Sequence, residues 1–381
     1  MRLNPKNKKM LAFFNGLKLE KENMSRATKS YLGEIYDAIM DCRDVSLHLK
    51  KTKNYVERCP ISSSENSHYM PPRIRSYLES TPCYYTKYET IQDDRHIFIH
   101  FCTFKKMDCD EYIKYMLNVL CVLNMFSRHD CLKSKDFHIF IYLTPFAKVL
   151  TDNIIGVEHI NTGINVKTAN CSNKQHDSIN EITIYREEDW FKVFIHEAIH
   201  SFRLDFSETG ENHLKHIFPI DTEYNLYEAY TEFWAEIINM MYCAVTLEDG
   251  FDNVMDLLNK MIQIERRFSL YQSIKVLNHM ELTYDSVFTS TRKYREETHV
   301  FAYFILKQCF MYNFNQFIAC CKKNGRTLLD YDEKKIHLIT DFIKHRCKCA
   351  KFLKDIKYME KLHVNDKELL NTCKMTLFEL N

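Results

Sequence analysis

Residues 190–202 place His196, Glu197 and His200 inside an almost unbroken apolar run: Trp190, Phe191, Val193, Phe194 and Ile195 precede the motif, Ala198 and Ile199 lie within it, and Phe202 follows. A helix of this composition is embedded in protein on most of its circumference. Imidazoles four residues apart share one helix face, and two buried imidazoles are costly unless something coordinates them or accepts their hydrogen bonds. One metal ion bound by both rings removes that cost, and Glu197 beside them can take a proton from an attacking water. Any fold for this chain must bury the helix and bring further ligand chemistry to it. His-Glu-x-x-His in this setting reads as a zinc hydrolase site, with Zn2+ as the cofactor.

The segment 226–236 supplies a candidate for the missing ligand. Glu228, Glu232 and Glu236 recur every four residues, on one helix face among Tyr230, Phe233, Trp234 and Ile237. Carboxylates stacked in apolar surroundings repel one another unless a cation or a donor intervenes. Glu228 can complete a His2Glu set, and Glu232, one turn on, can accept the remaining ring N–H of a ligand histidine. Asp205, His213, His216, Asp221 and Glu223 are alternative third ligands. The three-histidine pattern of the Met-turn peptidases is not met, because Arg203 and Phe206 stand where Gly and His are required.

With both halves in view, the chain resembles the Glu-type zincins, metallopeptidases in which the His-Glu-x-x-His helix is completed by a Glu on the next helix. In the thermolysin-like members that Glu follows an Asn and is trailed four positions on by an acidic residue; here the match is Tyr227, Glu228 and Ala229, with Glu232. The resemblance implies His196, His200 and Glu228 as zinc ligands, Glu197 as general base and Glu232 as an orienting residue. It covers residues 181–236 only. Tyr227 departs from the Asn, and the 27 residues between His200 and Glu228 exceed the usual spacing. The flanking chain also looks like uncharacterised metallopeptidases of large DNA viruses, which implies the host-cell cytoplasm or the virion.

Composition is compatible with this reading and restricts the partners. Lys plus Arg (52) nearly cancels Asp plus Glu (51) among 381 residues, so no net basic field points to nucleic acid. The basic start at residues 2–9 leads into too short an apolar stretch for a signal peptide, and no run of 18 apolar residues occurs. The expectation is a soluble, cytoplasmic chain that is not inserted in a membrane and acts on a protein or peptide. The 15 cysteines are odd in number and are expected to be reduced core residues. Cys347 and Cys349, near His345, lack a matching second pair for a zinc site.

The expected fold class is α+β and zincin-like: a small mixed β-sheet with the motif helix, followed by a mainly helical lobe. Strands are predicted at 95–104, 137–143, 163–168 and 181–186, with a helix from Asp110 to about Met125. Long helices are predicted at 226–245, 254–279, 297–312 and 333–361, the last with a break near its cysteines. Three regions follow: residues 1–90 as an N-terminal cap or peripheral lobe, 91–210 as the sheet lobe and 211–381 as the helical lobe. Turn clusters at 60–67 and 71–72 motivate the first of these, and an inhibitory cap is one role for it. Tyr294, Arg295, His299 and Tyr303 are candidates to stabilise an oxyanion. Tyr294 and His299 are preferred because a loop-to-helix boundary can aim them into a cleft. An extended substrate can pair with residues 161–166, where Gly163 permits close backbone approach. The competing function is a structural or interaction module that keeps the fold and performs no hydrolysis.

Overall fold

The computed structural model describes residues 4, 7–43, 49–60, 62, 68–92, 95–127, 136–151, 153–167, 180–206, 214–289 and 293–380. Among these the architecture is mixed α+β, with an open six-stranded sheet and a large helical region. Backbone contacts divide the chain into two units. Residues 37–148 and 161–204 form one, and residues 1–36, 149–160 and 205–381 form the other.

The first unit contains the sheet. Its strands are β1 (Lys50–Val56), β2 (Cys83–Gln92), β3 (Arg95–Thr103), β4 (Asp136–Leu143), β5 (Gly163–Lys167) and β6 (Asn180–Ile184). Their order is β1-β2-β3-β4-β6-β5. The β1-β2, β2-β3 and β5-β6 pairs are antiparallel, whereas β3-β4 and β4-β6 are parallel. The two parallel pairs involve the most apolar strands, as expected where both faces are covered. The register places Ile97 beside Phe137, Ile99 beside Ile139 and Phe101 beside Ile141; Ile139 and Ile141 in turn face Ile182 and Ile184. Period-two alternation therefore gathers these side chains on one face, where the Trp190 ring meets Phe101 edge-on at 5.9 Å. On the opposite face, Cys83, Cys102, Phe140, Tyr142 and Tyr185 are covered by Met70 and by Ile74 and Leu78 of the helix Pro72–Ser80.

Four predicted strands and the helix Asp110–Phe126 are present within a few residues of their expected bounds. Position 168, the expected end of the third strand, lies outside the described residues, as does the turn cluster at 63–67. The chain divides between residues 204 and 205, close to the boundary expected near 210, but not near 90. Strands β1 and β2 extend the same sheet as β3, so residues 37–90 belong with it, while residues 1–36 cluster with the helical unit.

The motif helix, Trp190–Ser201, lies in the sheet unit and is buried at all twelve positions. Its N-terminus is fixed by Asp189, which adopts a left-handed conformation (φ 58°) and pairs with Lys148 at 3.0 Å. Burial pulls the Lys148 pKa below its ordinary value, and the Asp189 charge opposes that shift.

The second unit is built on the long helices Leu226–Leu247 and Phe251–His279. The segment Phe301–Leu306 is a π-helix that continues as the α-helix Lys307–Tyr312, so the helix expected over 297–312 starts later and is not uniform. A further helix, Phe314–Asn324, follows. The break expected near the cysteines lies between Ile336–Arg346 and Ala350–Glu360. The C-terminal residues 372–380 are buried, held in part by the Gln272 amide donating to the Lys374 carbonyl at 2.5 Å and the Asn239 amide donating to the Phe378 carbonyl at 2.7 Å. Among the described residues no helix is long and apolar enough to cross a membrane.

Candidate metal centre

On the motif helix, one turn brings the two imidazoles together: His196 Nε2 and His200 Nε2 are 3.1 Å apart. Both residues are nearly inaccessible, at 4% and 7% exposure, and Glu197 is 8% exposed. The helix is fastened to the end of the sheet. Asn165 on β5 donates from Nδ2 to the Glu197 carbonyl and to Ser201 Oγ, both at 2.7 Å, and Ser201 donates to Asn180 Oδ1 on β6 at 3.3 Å.

Gly163, at the start of β5, is explained by Glu197. A Cβ at this position would lie 2.6 Å from Glu197 Oε1 and 2.7 Å from Val193 Cγ1. The carboxylate thus rests against the backbone of the edge strand, and only glycine leaves room for it. Gly163→Ala is expected to destabilise the fold by about 1–3 kcal/mol, the usual cost of overpacking; urea denaturation measures it, and an unchanged midpoint would show that the contact relaxes without cost.

In the helical unit, the three stacked glutamates have separate surroundings. Glu236 is buried in an ion pair with Lys307, whose Nζ donates to Oε1 at 2.6 Å and to Ser269 Oγ at 2.9 Å. Glu228 accepts a hydrogen bond at Oε2 from the Tyr303 hydroxyl at 2.9 Å. Glu232, between them, is 1% exposed. Tyr303 lies within the π-helix, a local widening that is frequent at functional sites. The start of the glutamate helix is held by Asn225, left-handed at φ 43°, whose Nδ2 donates to His299 Nδ1 at 2.5 Å.

Candidate metal ligands gather in two groups in the sheet unit, the imidazole pair of His196 and His200 and the cysteines Cys59, Cys83 and Cys102, while Glu228 belongs to the helical unit. The ligand atoms of the three cysteines lie within 4.8 Å of one another. The imidazole pair fits Zn2+, because imidazole nitrogens are among its ordinary ligands, and the two face each other at 3.1 Å in a buried setting. Of the alternative third ligands, His216, Asp221 and Glu223 are exposed and Asp205 is half-buried. His213 lies outside the described residues. Cys347 and Cys349 belong to neither group; they flank the break between two helices, where the Cys347 carbonyl accepts from the Tyr284 hydroxyl at 3.1 Å.

The four candidates for oxyanion stabilisation separate. Tyr294 is buried, and its hydroxyl donates to Glu296 Oε2 at 2.8 Å. Arg295 is exposed, His299 engages Asn225, and Tyr303 engages Glu228. Glu296 also accepts from the Thr222 hydroxyl and from the Phe301 N–H at 2.7 Å. Burial nevertheless raises the Glu296 pKa from 4.5 to about 7, the donors from Thr222, Tyr294 and Phe301 opposing the shift. The folded state therefore favours the protonated acid. Its contribution to stability is fully present below about pH 4.5 and is lost as pH rises through about 7. Glu296→Gln is expected to flatten that part of the stability curve in urea titrations across this range; an unaltered slope would assign the pH dependence to other groups.

No protein-family model matches the chain, no curated protein matches its sequence, and no solved structure matches its fold.

Proposed function

We propose that the chain is a zinc-dependent peptidase of the Glu-type zincin kind, with His196, His200 and Glu228 holding the ion. The observation that carries this reading is the buried pair of imidazole nitrogens 3.1 Å apart on one face of a helix that also carries Glu197. Zn2+ at such a site supplies Lewis acidity toward a scissile carbonyl and lowers the pKa of water.

The protein side chains perform the proton and positioning chemistry. Glu197 takes the proton of the attacking water and delivers it to the leaving amine. Asn165 and Ser201 fix the turn of helix that carries Glu197, and Gly163 gives its carboxylate room. Tyr303 holds the Glu228 carboxylate through its hydroxyl and is the phenol adjacent to a ligand, whereas Tyr294 is engaged with Glu296. Glu232 is the carboxylate one helical turn beyond Glu228 and orients a ligand imidazole. An extended peptide pairs with β5, which ends the strand order beside the motif helix.

Turnover of a fluorogenic peptide library is expected to disappear after treatment with a zinc chelator and to return on adding Zn2+ but not Mg2+, since the donor set is nitrogen-rich. Turnover that persists in the chelated protein would exclude a zinc peptidase. Absence of turnover in the zinc-loaded protein would favour the interaction module.

A further inference from the structure

We propose that Cys59, Cys83 and Cys102 form a second metal site, in the sheet unit, for a thiophilic d10 cation, Zn2+ or Cu+. The three residues come from separate places in the sequence. Cys83 opens β2, and Cys102 lies near the end of β3. The register sets Tyr85 opposite Cys102, so Cys83, two residues before Tyr85, shares a face with Cys102. Cys59 arrives from the segment after β1, three residues beyond Val56, which is the register partner of Cys83.

That segment is held in place. The Tyr142 hydroxyl donates to the Pro60 carbonyl at 2.7 Å and accepts from the Ser62 N–H at 3.0 Å, on either side of residue 61. Arg58 Nε donates to the Glu79 carbonyl at 3.2 Å. Cys59 is therefore presented to the strands by a positioned backbone. Its sulfur lies 3.1 Å from that of Cys83, and all three sulfurs are within 4.8 Å of one another.

The three cysteines are 0–2% exposed and are enclosed by Met70, Ile74, Leu78, Tyr142 and Tyr185. A thiol is a weak donor and a weak acceptor, so hydrocarbon side chains would fill this core equally well. Three converging sulfurs are instead a soft donor set, the kind that selects Cu+ or Zn2+. Such an ion would tie the segment after β1 to β2 and β3, and its binding would stabilise the folded unit by mass action. The site uses no residue of the histidine and glutamate group, so it stands or falls independently of the proposed peptidase activity.

The test uses the full chain, purified reduced and without oxygen, with Co2+ as a probe for Zn2+ and with Cu+ in a separate titration. Thiolate-to-metal charge-transfer absorption is expected with at least one probe, saturating at about one ion per chain. The imidazole and carboxylate site contains no sulfur and cannot produce this band. Cys59→Ser, which lies outside the strands, is expected to abolish the band, while the double variant His196→Ala, His200→Ala retains it. Bound metal should also slow alkylation of the three cysteines and raise the melting temperature. Absence of the band with both probes in the wild-type chain would overturn the proposal, whatever the variants do. Peptide mapping that finds a Cys59–Cys83 disulfide in the chain as isolated would overturn it in favour of a redox pair.

Discussion

Replacing Glu197 with Gln is expected to reduce kcat by about 100- to 10,000-fold, the range that a positioned general base contributes, while zinc at the histidine pair is retained. Gln preserves the size of the side chain that rests against Gly163, so the helix and its imidazoles keep their places. It removes only the ability to accept a proton. Steady-state turnover and metal content measured on the same preparation separate the two effects. Equal, nonzero turnover by wild type and variant would remove Glu197 from the chemistry. Joint loss of zinc and turnover would give it a structural role.

The second large effect distinguishes two glutamates one helical turn apart. Glu228→Ala is expected to remove most of the zinc held with His196 and His200, because it deletes a ligand. Glu232→Ala should weaken zinc affinity or activity by about 10- to 100-fold, as loss of a partner that orients a ligand does. Metal titrations of both variants in the Cys59→Ser background isolate this site from the sulfur cluster. The opposite ranking would move the third ligand by one turn. The Tyr303 hydroxyl, 2.9 Å from Glu228 Oε2, holds this carboxylate by a hydrogen bond.

Much of the sheet was legible because its inner strands carry dense apolar runs: Ile97 to Phe101 and Phe137 to Leu143 need burial in any fold. Strand β1 was not, and its physical character explains why. Residues Lys50, Lys51 and Lys53 lie on an exposed edge strand, where charge protects against further pairing and erases the alternation that identifies a strand. Without β1, and with β2 unassigned, the first ninety residues read as a separate cap.

The candidate ligands were legible for a different reason. His196, Glu197 and His200 have a fixed spacing on one helix, and Glu228 stands at the head of a run of carboxylates set among aromatics. What surrounds them depends on contacts distant in sequence. Tyr303 reaches Glu228 across 75 positions, and Lys307 neutralises Glu236 across 71. Tyr294 stands at a loop boundary, and local sequence does not disclose that Glu296, two residues away, takes its hydroxyl. The sulfur cluster had no signal at all, since Cys59, Cys83 and Cys102 lack metal-motif spacing and meet only through strand register.

The position of bound zinc is decisive. Anomalous diffraction at the zinc edge, from crystals of the full chain grown with Zn2+, locates the ion without reference to activity. The prediction is a peak about 2.0–2.2 Å from the nearest nitrogens of His196 and His200 and from a carboxylate oxygen of Glu228. A zinc-loaded crystal with no peak at the two imidazoles, or with a peak there that is coordinated by a residue other than Glu228, would contradict it.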